Sequence, residues 1–397
     1  MTSSDLTEQA EELYQLASDA PTEVPIEDLK HLLKNGNQEV GRIAIATFGK
    51  VAKADPDAAA PATDLVSERL SAEDPEICEL ISRAMIPLAE TRPQAATGLT
   101  DELLAVISDW TDQLADIDLL SSADEIPQKV IDVFPTVVLL AGYIEESEPG
   151  SIVSAAGDFR QLLRVNAYEA KVAGAIGLAD ISETNPDAVV DAAEELLTCL
   201  QPTEPIEDPE LRAWLGESHD GDHTQLHTAA MVAIERLSLR HPHTIHASVD
   251  FLPEYLTRPQ ERFRWMSAHI LANLADEYPE DVSPHAEKLA DLLNDTANVR
   301  LNASYALDIL SQHVPEKVRP FADDMVTLID DDQTLVRENV MMYLKFIVRE
   351  YPDAVHDKRE KIRPRLGDES KEVRENAART LLTLGSTHAN RLNPELS

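Results

Sequence analysis

Apolar residues along the chain fall into fixed columns about a recurring proline. The prolines are Pro56, Pro93, Pro149, Pro186, Pro242, Pro279, Pro315 and Pro352, separated by 37, 56, 37, 56, 37, 36 and 37 residues. Eight residues before each stands Phe48, Met85, Ala141, Leu178, Ile234, Leu271, Leu307 or Leu344. Ten residues after comes Val66, Leu103, Phe159, Leu196, Leu252, Leu289, Met325 or Ile362. Four residues further on, one helical turn along the same face, are Leu70, Ile107, Leu163, Leu200, Leu256, Leu293, Ile329 and Leu366. The spacing predicts a helix before each proline and another after it. Proline lacks an N–H and disfavours helical backbone in the residue before it, yet is tolerated in a first turn, so it marks the break between the two helices.

The register extends outward at both ends. Leu29 and Leu33 fill the second-helix columns of a degenerate first unit, and a last unit covers Val373 to Gly385, with Leu381 in the core column and Ala389 in the proline position. About ten helical pairs result. A repeat of this length means a stacked array in which each unit covers its neighbour's apolar face, so the expectation is an all-α solenoid, a single array over 1–397, with 1–37 and 371–397 as caps.

Segments such as 298–332 and 335–370 resemble HEAT repeats, with Val-Arg opening the first helix, a small residue three positions later (Ala303) and an aspartate in the turn between units. The resemblance covers nearly the whole chain. It implies a right-handed superhelix whose second helices line the concave side, and a protein-interaction scaffold. The arginine recurs as Arg264, Arg300, Arg337 and Arg374; in earlier units the column reads Gly41, Cys78, Phe134, Lys171 and His227. The tetratricopeptide pattern fits less well, since its period is shorter and its Trp-Leu-Gly-Tyr signature is missing.

Net charge changes the picture. The chain carries 73 acidic and 34 basic residues, a formal charge of -39. So acidic a surface suits a halophile's cytosol, where salt screens self-repulsion, and it disfavours nucleic acid and anionic membranes as partners. The charge is uneven: residues 1–254 carry -33 and 255–397 only -6. The start of the chain lacks a signal-peptide pattern and no stretch has the length and apolarity of a membrane span, so a cytoplasmic protein is expected. Cys78 and Cys199 read as small buried residues rather than a redox pair.

Both 56-residue gaps hold an insertion, at 109–128 and 202–222, and each insertion carries a tryptophan, Trp110 and Trp214. Insertions in repeats often build a binding edge, and exposed Trp is enriched at interaction hot spots, although large aromatics are mostly buried and each Trp also suits a pin holding its own segment on the array. A second candidate surface is the cluster Lys358, Arg359, Lys361, Arg363 and Arg365, which suits an acidic peptide, phosphate or nucleic acid, or else internal pairing with Asp357 and Glu360. Arg300, Arg337 and Arg374 follow Asp295, Asp332 and Glu369 by five residues, and the expected role is a ladder of charge-assisted bonds between a turn and the next helix. Of the twelve histidines, His219, His223, His227, His241, His243 and His246 lie close in sequence, but Gly221, Asp222 and Pro242 interrupt any single ligand face, so no metal is expected.

Motifs for catalysis are missing: there is no phosphate-binding glycine loop, no G-x-S-x-G and no Cys-x-x-Cys. The His-Glu dipeptides of HEAT-like hydroxylases are absent too. HEAT-like lyases and glycosylases rest on scattered groove residues and stay open as an alternative. The leading expectation is a non-enzymatic scaffold without cofactor and with an unidentified protein partner.

Overall fold

The computed structural model describes residues 3–115, 128–165, 167–201 and 224–392. Every regular element among them is an α- or 3-10 helix, and the architecture is an all-α solenoid. Helices of eight residues or more are numbered here. They are α1 (Ser3–Asp19), α2 (Ile26–Asn35), α3 (Gln38–Ala54), α4 (Pro75–Thr91), α5 (Thr100–Ala115), α6 (Gln128–Ser147), α7 (Ala156–Arg164), α8 (Tyr168–Thr184), α9 (Ala193–Leu200), α10 (Thr224–Arg240), α11 (Glu261–Glu277), α12 (Ala297–His313), α13 (Thr334–Glu350) and α14 (Lys371–Leu392).

Among the described residues two units emerge, one over 3–200 and 224–233 and the other over 234–392. In the first, α3 packs between α1 and α4, α4 on α6, and α6 on α8, while α5, α7 and α9 form a second layer. In the second, α11 packs on α12, α12 on α13 and α13 on α14. The first helix of a pair keeps its length: α3, α4, α8, α10, α11, α12 and α13 are each 17 residues long.

The column before the proline is the core. Phe48, Met85, Ala141, Leu178, Ile234, Leu271, Leu307 and Leu344 are all 0% exposed, and no member of the column ten residues after the proline exceeds 1%. Each fully buried Leu, Ile or Phe contributes about 1.5–3 kcal/mol of transfer free energy. The third column holds from Ile107 to Ile329, but Leu70 is half-buried and Leu366 is 45% exposed. In the last unit Leu381 is also only half-buried, and Thr380 and Leu384 take the interior positions beside it.

The turn itself repeats. Asp55, Arg92, Asn185, His241, Tyr278, Val314 and Tyr351, each just before the proline, all have φ between -146° and -126° and ψ between 50° and 88°. Each donates its N–H to the carbonyl four residues back, closing the helix. The clash of the proline ring with helical backbone at the preceding residue selects this conformation. After the turn the structure departs from a plain helix pair. The second helix is in most units a staircase of short α and 3-10 pieces, as in Pro315–Val318, Arg319–Phe321 and Ala322–Thr327. A further proline, Pro61, Pro253, Pro284, Pro320 or Pro364, opens one of those pieces and removes the N–H that a continuous helix needs.

Candidate functional site

The arginine ladder joins more groups than the sequence spacing implied. Arg264 donates to both Asp295 carboxylate oxygens (2.7 and 2.8 Å) and to the Arg258 and Pro259 carbonyls (2.8 and 2.7 Å). Arg300 bonds Asp331 at 2.6 Å and the Asp295 carbonyl at 3.0 Å. Arg337 takes both oxygens of Asp368 at 3.0 Å and the carbonyls of Asp331 and Asp332 at 2.8 and 3.3 Å. Arg374 closes the row on the carbonyls of Asp368 and Glu369, at 2.7 and 2.8 Å.

Arg264, Arg300 and Arg337 thus each hold the turn behind by carbonyls and the turn ahead by a carboxylate 31 residues on, while Arg374 holds only the turn behind. The pairing expected with the carboxylate five residues before is corrected: Arg300, Arg337 and Arg374 take only the carbonyls of Asp295, Asp332 and Glu369, and the carboxylate rungs are Asp295 to Arg264, Asp331 to Arg300 and Asp368 to Arg337. Arg264 holds the Asp295 carboxyl below the usual carboxylate range. Burial pushes Asp368 up, and the Arg337 bond and the Ser370 N–H more than offset it.

In the first unit other donors serve the turns. Arg69 donates to the carbonyls of Leu33 (2.7 Å) and Gly36 (3.0 Å), and a Cβ on Gly41 would overlap its guanidinium, so glycine in the arginine column makes room for an arginine from the second layer. Trp110 does the same with its indole N–H, which donates to Ala72 O at 2.9 Å. It is 0% exposed, edge-on to Phe134 at 5.4 Å, in the continuous helix α5. No partner can touch it there, so Trp110 as an exposed contact is corrected to a core pin. Trp214 and the insertion 202–222 lie outside the described residues, as does most of the other insertion.

The basic cluster after Pro352 is largely occupied. Lys358 is 7% exposed and bridges Asp323 (2.7 Å) and Asp357 (2.9 Å); Arg365 bridges Asp330 (2.8 Å) and Asp368 (3.1 Å). Arg363 reaches Glu360 at 3.5 Å. Lys361 is exposed and Arg359 half-buried. The anionic groove ligand expected there would compete with carboxylates already in place.

A different cationic patch lies on the first-helix layer. Lys345, Arg349 and Arg379 form no ion pair within 4 Å among the described residues, whereas Arg264, Arg300, Arg337, Lys358 and Arg365 do. Lys345 Nζ lies 4.5 Å and the Arg349 guanidinium 5.9 Å from the Phe346 ring centre. Burial lowers the Lys345 pKa; Asp308 opposes this, and Arg379 and Arg349 add to it. Asp308, beneath them, is pushed up to about 8 by burial against the weaker pull of Gln312 and Lys345, so its charge is largely suppressed at neutral pH. Sequence reading passed over this patch because its members are spread over two repeats; the signal was the position of Lys345, Arg349 and Arg379, seven, three and ten residues before the proline column.

Between α6 and α8, Gly142 admits the Asp180 carboxyl, which a Cβ would overlap. Burial, aided by Glu183, Glu145 and Glu146, pushes Asp180 up to about 7. Glu145 is 1% exposed and spoken for: it accepts from Gly150 N, Ile152 N and Thr184 Oγ1 at 2.7, 3.0 and 2.5 Å.

Among the described histidines, His246 stacks on Tyr278 and meets Asp281 at 2.9 Å, while His241 and His243 lie edge to face at 6.1 Å. Among the described residues no group of three or more His, Cys, Asp or Glu is arranged to hold a metal ion. Cys78 and Cys199 are free thiols, each pushed up to about 11 by burial, which suppresses the reactive thiolate. Among the described residues no helix is long and apolar enough to cross a membrane.

No family model and no curated protein matches the chain. Among solved structures it is similar to Kap121p and to a mutant of Kap121p, with 13% and 14% identity and TM-scores of 0.43 and 0.42. These alignments cover 97% and 94% of this chain but 39% and 40% of those chains, so it spans about two fifths of their length.

Proposed function

We propose that this chain is a non-enzymatic scaffold that binds protein partners through the exposed faces of its first-helix layer. The observation that carries the reading is a contrast between two columns. Eight residues before the proline every side chain is apolar and 0% exposed. Two residues earlier the column reads Ala46, Arg83, Leu139, Ile176, Val232, His269, Tyr305, Met342 and Arg379; all are at least part-exposed, and their chemistry changes from unit to unit. A repeated frame with a varying surface suits reading an extended partner, because each unit adds one contact of its own kind.

The charge of -39 supports a cytosolic protein adapted to high salt. Trp214 and the 202–222 insertion are proposed as a second contact with the same partner. Affinity capture in molar salt tests the reading: a stoichiometric protein, weakened by substitutions in the variable column and by excision of 202–222, is expected. Recovered nucleic acid, or turnover of a small molecule, would favour the groove-acting alternative.

A further inference from the structure

The scaffold reading leaves open what kind of chain docks, and the patch on α13 and α14 narrows it. Three cations, Lys345, Arg349 and Arg379, converge there without a carboxylate within 4 Å among the described residues, in a chain of net charge -39. Apolar side chains stand on the same two helices. Phe346 and Met342 are part-exposed, the Lys345 ammonium rests 2.6 Å from the Met342 sulfur, and Leu382, one turn beyond Arg379, is 73% exposed. An exposed leucine beside clustered cations is costly to maintain in isolation and useful against a partner with the complementary pair of features.

Resting on the scaffold reading, we propose that this patch docks a short acidic segment of a partner protein, its carboxylates on Lys345, Arg349 and Arg379 and one hydrophobic side chain on Leu382, Met342 and the edge of Phe346. Peptide is favoured over nucleic acid by two features. Both Lys345 and Arg349 lie over the Phe346 ring, so the face on which a base would stack is already taken. A long polyanion would also meet the acidic remainder of the chain, whereas a segment of a few residues stays within about a Debye length of the cations.

The test uses the full chain and a fluorescent peptide, Glu-Glu-Asp-Leu-Phe-Asp-Glu, titrated by anisotropy in about 0.15 M salt. Saturable binding that weakens as salt rises is expected. Arg349→Glu with Arg379→Glu should weaken it at least tenfold, and Leu382→Ala about threefold; both sites are exposed, and circular dichroism checks that the helices persist. Arg359→Gln with Arg363→Gln, in the other cluster, should change nothing. Equal binding to the charge-reversed variant, no saturable binding, or tighter binding of a thymidine oligonucleotide would overturn the proposal. A captured protein partner indifferent to Arg349→Glu and Arg379→Glu would sink this patch while leaving the scaffold intact; absence of any protein partner would sink the scaffold itself.

Discussion

Gly177 shows how closely single side chains are fitted to the layer spacing. A Cβ there would stand 2.6 Å from the ring of Phe159, which is 0% exposed and cannot swing away. Gly177→Ala should therefore destabilise by about 1–3 kcal/mol, although alanine is the better helix former, and urea unfolding would show it. Asp180 gives a pH signature. Its folded pKa of about 7 lies above the ordinary 3.8, so the folded state binds its proton more tightly and this contribution to stability is present below about pH 4 and lost as pH rises through 7. Asp180→Asn should consequently gain stability relative to the parent above pH 7, by up to about 4 kcal/mol, and gain nothing at pH 4. Thermal melts of both proteins at the two pH values decide it. Neither residue was legible in the sequence: a glycine facing a phenylalanine, or an aspartate facing a glycine, is a relation between positions that only packing brings together.

At the scale of the element, the turn was legible and the second helix less so. Proline and the columns around it specified where the first helix ends, because the steric effect of proline is local. The breaks within the second helix depend on additional prolines such as Pro320 and Pro364, whose effect is equally local but was masked by the regular apolar spacing they interrupt. The ladder shows the same division. Arg264, Arg300, Arg337 and Arg374 stood out by period, but their carboxylates lie 31 residues ahead, a distance set by superposition of turns rather than by the chain. Arg337 and Asp368 have side chains only 8% and 3% exposed. Arg337→Ala leaves that buried carboxylate with only Arg365 and the Ser370 N–H and should cost about 1–3 kcal/mol; Arg337→Lys, unable to reproduce the fork, should recover only part of it. Asp295 and Asp368 have lowered folded pKa values, so their share of stability is present above the ordinary carboxylate pKa and disappears as pH falls below about 4. Acid titration of the parent against Arg337→Ala should show the parent losing more.

For the whole molecule, charge was the feature most open to reading and the contacts it makes were the least. Residues 1–254 carry -33 of the total -39, and lowering salt from molar to about 0.1 M lengthens the screening distance from about 3 to 10 Å. Proteolysis in that range should cut within 1–254 before it cuts within 255–397; the reverse order would mean that paired carboxylates, not self-repulsion, govern salt stability. Sequence could locate basic residues but not which of them were already engaged. Lys358 and Arg365 suited either a ligand or internal pairing and are tied to Asp323 and Asp330, while Lys345, Arg349 and Arg379, spread over two repeats, have no carboxylate within 4 Å among the described residues.

The most direct test of a fixed frame with a varying recognition face sets one column against the other in the same helix. Leu307→Ala, in the buried column, and Tyr305→Ala, in the part-exposed one, are compared by denaturant unfolding and by capture of the partner in molar salt. The expected result is that Leu307→Ala costs about 2–5 kcal/mol, whereas Tyr305→Ala stays within about 0.5 kcal/mol of the parent and, combined with Met342→Ala and Arg379→Ala, abolishes capture. Full capture by the folded triple variant would contradict recognition through the first-helix layer, and a Leu307→Ala loss below about 0.5 kcal/mol would contradict the frame.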